Sequence, residues 1–260
     1  MFSRFTKAIV RPPARNFADG LTTVDLGVPD VELALAQHAA YCAALERHGC
    51  RVIALPIDSA HPDSTFVEDT ALILPGQGAI ITRPGAESRA GEVHAVRDAL
   101  SAYFAELPEI TSPGTLDAGD VCEAGQTAFI GISLRTNHDG ARQLAEWLSR
   151  YGVTSRLVDI RHTPGILHLK SGVVALDADR LLCIDALAAH EAFADRTVLR
   201  VPSGEEYAAN CVRVNDVIFV ADGFPGTHAV LRAAGYTLVP LAMSEFAKMD
   251  GGLSCLSLRF

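Results

Sequence analysis

One design recurs five times along this chain, and it limits the possible folds more than any bulk property does. A polar residue stands in a Gly- or Asn-containing corner, an apolar strand follows, a tight turn reverses the chain, and a second apolar strand runs back. The first copy runs from Asp63 through Glu68 and Asp69 into 70–74, turns at 75–78 and returns at 79–82. The second has its corner at Asp117-Ala118-Gly119-Asp120, a turn near 124–126 and a return at 128–132. The third passes from Leu167-His168-Leu169-Lys170 into 173–176, turns at 177–179 and returns at 180–184. The fourth begins at Ala208-Ala209-Asn210-Cys211, strings 212–214, turns at Asn215-Asp216 and returns at 217–220. The fifth, from Gly251 through Cys255 to Phe260, lacks a return strand of its own, which 7–11 at the other end of the chain can supply. Read from Asp69, Asp117, His168, Asn210 and Cys255, the interval is on the order of 40 to 50 residues, the range of closed or stacked repeat architectures.

Helical periodicity fills the gaps. Asp30 can cap a helix over 31–48, which Gly49 ends, and similar patterns cover 92–104, 139–151, 186–194 and 227–234. Short strands follow three of them, at 51–55, 155–158 and 236–241. The unit is therefore a ββαβ module used five times. The expected fold is a single α/β domain over 1–260, a five-bladed pseudo-symmetric propeller closed by pairing the chain ends, which removes free sheet edges. A doubly wound sheet would instead alternate strand and helix simply, and no phosphate-binding Gly loop is present.

Charge narrows the partners. A net charge of −9 and a pI near 5.4, with no Lys/Arg run, argue against nucleic acid and anionic membranes and suit a small cationic ligand better. No stretch reaches the roughly 18 apolar residues of a membrane span, and Met1 to Lys7 lack the apolar core of a secretory signal, so the chain is expected in the cytoplasm. The six cysteines, Cys42, Cys50, Cys122, Cys183, Cys211 and Cys255, form no CxxC pair and read as free thiols.

In a closed repeat the corners converge. Asp69, Asp117, His168, Asn210 and Cys255 would then meet, giving a thiol nucleophile, a proton shuttle and carboxylates for a positive charge. Each also has a plainer reading: His168 sits between two leucines like a core histidine, Asp117 and Asp120 flank Ala-Gly like turn formers, and Cys255 could be a packed thiol.

The stretches Phe66-Val67-Glu68-Asp69, Ile81-Thr82-Arg83-Pro84-Gly85-Ala86-Glu87-Ser88-Arg89, Leu116-Asp117-Ala118-Gly119-Asp120, Leu134-Arg135-Thr136-Asn137, Leu167-His168-Leu169-Lys170, Tyr207-Ala208-Ala209-Asn210-Cys211 and Asp250-Gly251-Gly252-Leu253-Ser254-Cys255 occur in an order and at intervals that resemble the dimethylarginine dimethylaminohydrolases, of the amidinotransferase (pentein) superfamily. The likeness spans essentially the whole chain. It implies Cys255 as nucleophile, His168 as general acid and base, and Asp117 as the carboxylate beside the guanidinium, at a position where other members carry Glu. It further implies that Asp63, Phe66, Glu68 and Asp69 line the guanidinium end, that Arg89 and Arg135 receive the substrate carboxylate, and that Leu21 tips a mobile lid. Met249 near the terminal motif is expected to complete an apolar wall. Citrulline and a methylamine would be the products, with no metal or organic cofactor, and a homodimer is compatible with the resemblance.

Two other readings stay open. An arginine deiminase of the same superfamily would release ammonia from unmethylated arginine, although that family is usually longer, with an inserted helical region. A non-catalytic propeller that binds arginine-like ligands would lack Cys or His at the corners, and both are present here.

Overall fold

The computed structural model describes residues 4–260; Met1 to Ser3, part of the N-terminal stretch considered above, lie outside the described residues. Strand β1 (Lys7–Val10), helix α1 (Val31–Arg47) and strand β2 (Arg51–Ala54) come first. The hairpin β3 (Ala71–Leu74) and β4 (Gly78–Ile81) leads to α2 (Val93–Ser101). Next come β5 (Val121–Ala124), β6 (Thr127–Ile132), α3 (His138–Arg150) and β7 (Thr154–Asp159). A one-turn helix α4 (Leu169–Gly172) enters β8 (Val173–Ala175), β9 (Arg180–Cys183) and β10 (Thr197–Arg200). The remainder is β11 (Val212–Val214), β12 (Val217–Ala221), α5 (Pro225–Ala233), β13 (Leu238–Leu241), α6 (Ser244–Ala247) and β14 (Leu258–Arg259).

These strands form five separate sheets, β14-β1-β2, β3-β4, β5-β6-β7, β8-β9-β10 and β11-β12-β13, so the doubly wound alternative falls. In each three-stranded sheet one pair is antiparallel and the other parallel, and a parallel pair needs a crossover connection. The chain ends meet as expected, with Ala8 opposite Arg259 and Ile9 opposite Leu258. Neighbouring sheets share apolar cores in turn. Ile9 and Leu258 pack with Ala71 and Ile73; Leu72 and Ile80 with Val121 and Ile130; Phe129 with Val173 and Leu182; Leu182 with Ile218 and Val220; and Phe219 with Ala8 and Val10.

Local sequence explains where the two longest helices begin. The Asp30 carboxylate accepts the Leu33 N–H at 3.1 Å and Asn137 accepts that of Gly140 at 2.8 Å, each cap supplying about 1 kcal/mol. Three expectations fail. The ββαβ unit is incomplete in the β3-β4 sheet, where an isolated bridge between Ile81 and Glu109 stands in place of a third strand. The stretch 186–194 is not a helix beyond the short turn Glu191–Phe193, because His190 uses its side chain to accept the Ala192 N–H and starts the turn late. The strand β10 was missed because it is four residues long and does not alternate: half-buried Val198 and Leu199 are adjacent, between exposed Thr197 and Arg200.

Candidate active site

Each inner strand is entered through one tight helical turn: Val67–Thr70 before β3, Ala118–Asp120 before β5, α4 before β8, Glu206–Ala209 ahead of β11 and Ser254–Leu256 ahead of β14. Those turns are packed against one another, Val67–Thr70 on both Ala118–Asp120 and Ser254–Leu256, and α4 on Ala118–Asp120 and Glu206–Ala209. The corner side chains meet as a result.

His168 lies at their centre. Its Nε2 is 2.9 Å from Asp117 Oδ2 and 4.0 Å from Asp69 Oδ1. Asp117 is fully buried, and its other oxygen accepts the Gly85 N–H at 2.8 Å. Asp69 accepts the Gly119 N–H at 3.0 Å and pairs with Arg89 Nη1 at 2.6 Å. Asp120, one turn further, accepts from Ser133 Oγ at 2.6 Å and from the Leu169 N–H at 2.9 Å, fixing the backbone just after the histidine. Gly119 is required by closeness: a Cβ there would sit 2.6 Å from Asp69 Oδ1 and 3.0 Å from His168 Cγ.

Burial alone would lower the imidazole's proton affinity, but Asp69, the hydrogen bond to Asp117 and the charge of Asp120 outweigh it and raise His168 to about 9. Burial would likewise push Asp69 up, yet His168 and Arg89 hold it down at about 2. At neutral pH the imidazole is therefore a cation clasped by carboxylates. The Cys255 thiol is pushed the other way, up to about 12, by burial and by the charges of Glu68 and Asp69. Its Sγ accepts the Gly252 N–H at 3.4 Å.

Cys255 and His168 face one small cavity of about 20 Å³, whose wall also includes Leu21, Asp63, Phe66, Asp69, Arg89, Arg135 and Met249. Two expected residues stand elsewhere. Asp117 backs the imidazole from behind, since its short side chain is spent on His168 and Gly85. Glu68 turns away: it pairs with Lys170 Nζ at 2.7 Å, accepts from Ser254 Oγ at 2.7 Å, and lines a separate cavity of about 680 Å³.

The two arginines differ. Arg89 is 4 % exposed; its Nε and Nη2 clasp Glu92 at 2.8 to 3.2 Å and its Nη1 holds Asp69. Arg135 Nη1 is buried without a hydrogen-bond partner and lies 4.0 Å from Asp117 Oδ2. The loop carrying Leu21 is tied down over the cavity: the Leu21 N–H donates to Asp63, Thr22 Oγ1 to the Lys248 carbonyl at 3.0 Å, and the Thr23 N–H to Asp250 Oδ2 at 2.5 Å. Beneath it Phe17, Phe66 and Phe246 pack with centroids 5.6 to 6.3 Å apart. Asp250, in a left-handed conformation at φ 57°, was missed among the cavity residues, as was Leu167. The Asp-Gly-Gly run was the available signal for Asp250; Leu167 had none beyond adjacency to His168. Asp69, Asp117 and His168 hold their polar atoms within 4.8 Å of one another, and the imidazole nitrogen between them is hydrogen-bonded to Asp117.

A fold of five such sheets with this cluster invites comparison. No family model matches the chain. The N(G),N(G)-dimethylarginine dimethylaminohydrolase of Pseudomonas aeruginosa is 40% identical over 257 residues, covering 98% of this chain and 100% of its own. The chain belongs to the dimethylarginine dimethylaminohydrolase family. Its Streptomyces coelicolor namesake is 35% identical, covering 97% of this chain and 96% of its own. A solved structure of the P. aeruginosa protein, a cysteine-to-serine variant complexed with citrulline, superimposes with a TM-score of 0.95 at 39% identity, covering 99% of this chain and all of that one. Family membership matches the α/β pentein fold seen here and makes a catalytic cysteine the expected centre of the site.

Proposed function

We propose that this chain hydrolyses Nω-methylated arginines, asymmetric dimethylarginine and monomethylarginine, to citrulline and dimethylamine or methylamine. The observation that carries this reading is that Cys255 and a protonated His168 share one cavity, whose wall also carries the carboxylates of Asp63, Asp69 and Asp250. Family membership supports it independently.

The thiol is neutral while the site is unliganded, because burial and two nearby carboxylates oppose a second negative charge. A bound guanidinium reverses that balance, and the thiol releases its proton to water. The thiolate attacks the guanidinium carbon and forms a C–S bond. As the neutral tetrahedral adduct collapses, the C–N bond to the methylated nitrogen breaks and His168 protonates the departing amine. A cationic thiouronium remains, and neutral His168 takes a proton from water as its oxygen attacks. Collapse breaks the C–S bond, the remaining hydroxyl proton passes to the departing thiolate, and His168 is left protonated as at the start. Asp117 and Asp69 keep the imidazole oriented throughout and favour its return to the charged form. No step calls for a metal or organic cofactor.

Phe66, Met249 and Leu21 form the apolar side of the cavity, which leaves room for methyl groups, whereas a deiminase needs acceptors around both terminal nitrogens. Arg135 receives the substrate carboxylate, whereas the Arg89 guanidinium is spent on Glu92, Asp69 and the Phe66 carbonyl and acts on the site through Asp69. The cavity as closed holds about one water, so the Leu21 loop must lift for the substrate to enter. The five sheets are read as blades of a propeller within one domain, a reading supported by the cores shared around the series of sheets. A cytoplasmic location and a homodimer complete the proposal, with no nucleic-acid partner; among the described residues no helix is long and apolar enough to cross a membrane. Citrulline formation measured side by side on asymmetric dimethylarginine, monomethylarginine, symmetric dimethylarginine and arginine tests it. The first two should be turned over, and faster turnover of arginine would favour the deiminase.

A further inference from the structure

A ladder of buried charges of alternating sign leads away from His168. Asp69 stands 4.0 Å from the imidazole and 2.6 Å from Arg89, and Arg89 in turn is clasped by Glu92 through two nitrogens at 2.8 to 3.2 Å. Beyond Glu92 comes the cation of Arg11, 3.6 Å from Asp58 near the surface. Asp69, Arg89 and Glu92 are 3, 4 and 1 % exposed, so water screens none of them. Glu92 is not part of the cavity wall.

Its geometry nevertheless decides how Arg89 stands. Glu92 occupies the Nε–Nη2 edge of the guanidinium, and the Phe66 carbonyl accepts from Nη2 at 3.1 Å, so only the Nη1 corner is left to meet Asp69. We infer that Glu92 is a positioning residue of the reaction: it fixes Arg89 against Asp69 and cancels its charge, which keeps Asp69 available to hold the proton on His168. The inference rests on His168 as the proton donor of the proposed function.

His168 is faced by the carboxylates Asp69, Asp117 and Asp120 from the corner turns, and shares its cavity with the Cys255 thiol, Asp63, Asp250 and the cations Arg89 and Arg135. With Glu92 ionised, Arg89 and Glu92 together are nearly neutral at the distance of the imidazole, and Asp69 acts on the imidazolium almost undiminished. Removing the Glu92 charge leaves Arg89 as an uncompensated cation that draws on Asp69 and repels the imidazolium. Both effects have the same sign, a weaker hold on the His168 proton. They match the direction in which His168 is displaced here, up to about 9 against burial.

Glu92→Gln tests this, since the amide oxygen can still accept from Arg89 while the charge is gone. The titration of His168, followed by nuclear magnetic resonance in the unliganded protein, should move down by about one pH unit, and the alkaline limb of kcat/KM should move with it, a tenfold loss beyond that limb. Glu92→Asp, which keeps the charge but withdraws it, should give a smaller shift of the same sign and serves alone if Glu92→Gln does not fold. An unmoved titration, with activity lowered equally at every pH, would overturn the inference and leave Glu92 as packing. Failure of the proposed function would look different: no citrulline from any methylarginine in the unaltered protein, with the titration shift intact.

Discussion

Asp117 and His168 form one unit: Asp117 Oδ2 lies 2.9 Å from the imidazole Nε2 while Oδ1 is pinned by the Gly85 N–H, so the carboxylate cannot rotate away. Replacing Asp117 with Asn should therefore lower His168 from about 9 toward the ordinary value near 6.5, and the alkaline limb of kcat/KM should fall with it. Stability carries the same signature. A histidine raised in the folded state stabilises fully below its unfolded value of about 6.5, and loses that contribution as pH climbs through about 9. The melting temperature of the unaltered protein should drop more between pH 7 and 9 than that of Asp117→Asn, as calorimetry at the two pH values would show.

Cys255 should be essential, while the other five cysteines should not. Cys255→Ser is expected to abolish turnover with the fold and ligand binding retained; substantial residual activity would remove it as nucleophile. Because its thiol is pushed up to about 12 without a ligand, a cationic haloacetamidine should label Cys255 faster than a neutral haloacetamide of equal intrinsic reactivity. Mass spectrometry of the labelled peptides decides between Cys255 and buried thiols such as Cys122.

The arginines should separate. Arg135→Ala is expected to cost about 2 to 4 kcal/mol in transition-state binding, roughly 30- to 1000-fold in kcat/KM, with free methylarginine and far less with an amidated substrate. Arg89→Ala should harm both substrates alike and also stability, by about 3 to 5 kcal/mol, since it strands Asp69 and Glu92 as buried charges. Equal discrimination between the two substrates by both variants would cancel this division of labour.

Asp250 ties the Leu21 loop to the segment that leads to Cys255. Asp250→Ala removes the acceptor for the Thr23 N–H and hydroxyl, and the loop should open more often. Proteolysis within 20–28 should quicken and KM should rise, with kcat less affected; an unchanged cleavage rate would show that the loop is held by Thr22 and Leu21 alone.

The repeat and its corners were legible because hairpins announce themselves by alternation and turn residues within a dozen positions, and because Asp69, His168 and Cys255 recur at the same place in the unit. What stayed hidden depends on side-chain direction. Glu68 and Asp69 are adjacent in sequence, yet one faces the rear cavity and Lys170 while the other faces His168. Arg89 and Arg135 look equivalent as residue types; only the position of Glu92, one helical turn after Arg89, separates them. Nor does periodicity tell that His190 would cap a short turn where Ala-rich spacing suggests a helix.

The antiparallel pairing of 258–259 with 8–9 has a consequence for assembly. Cys255 stands on a turn whose exit strand pairs with β1 and packs against β3, so the nucleophile takes its place when segments far apart in sequence find one another. Molecules in which that pairing has not formed would hold the carboxylates and the histidine without a working centre, and a change that strains β1 would be felt at the reacting sulfur.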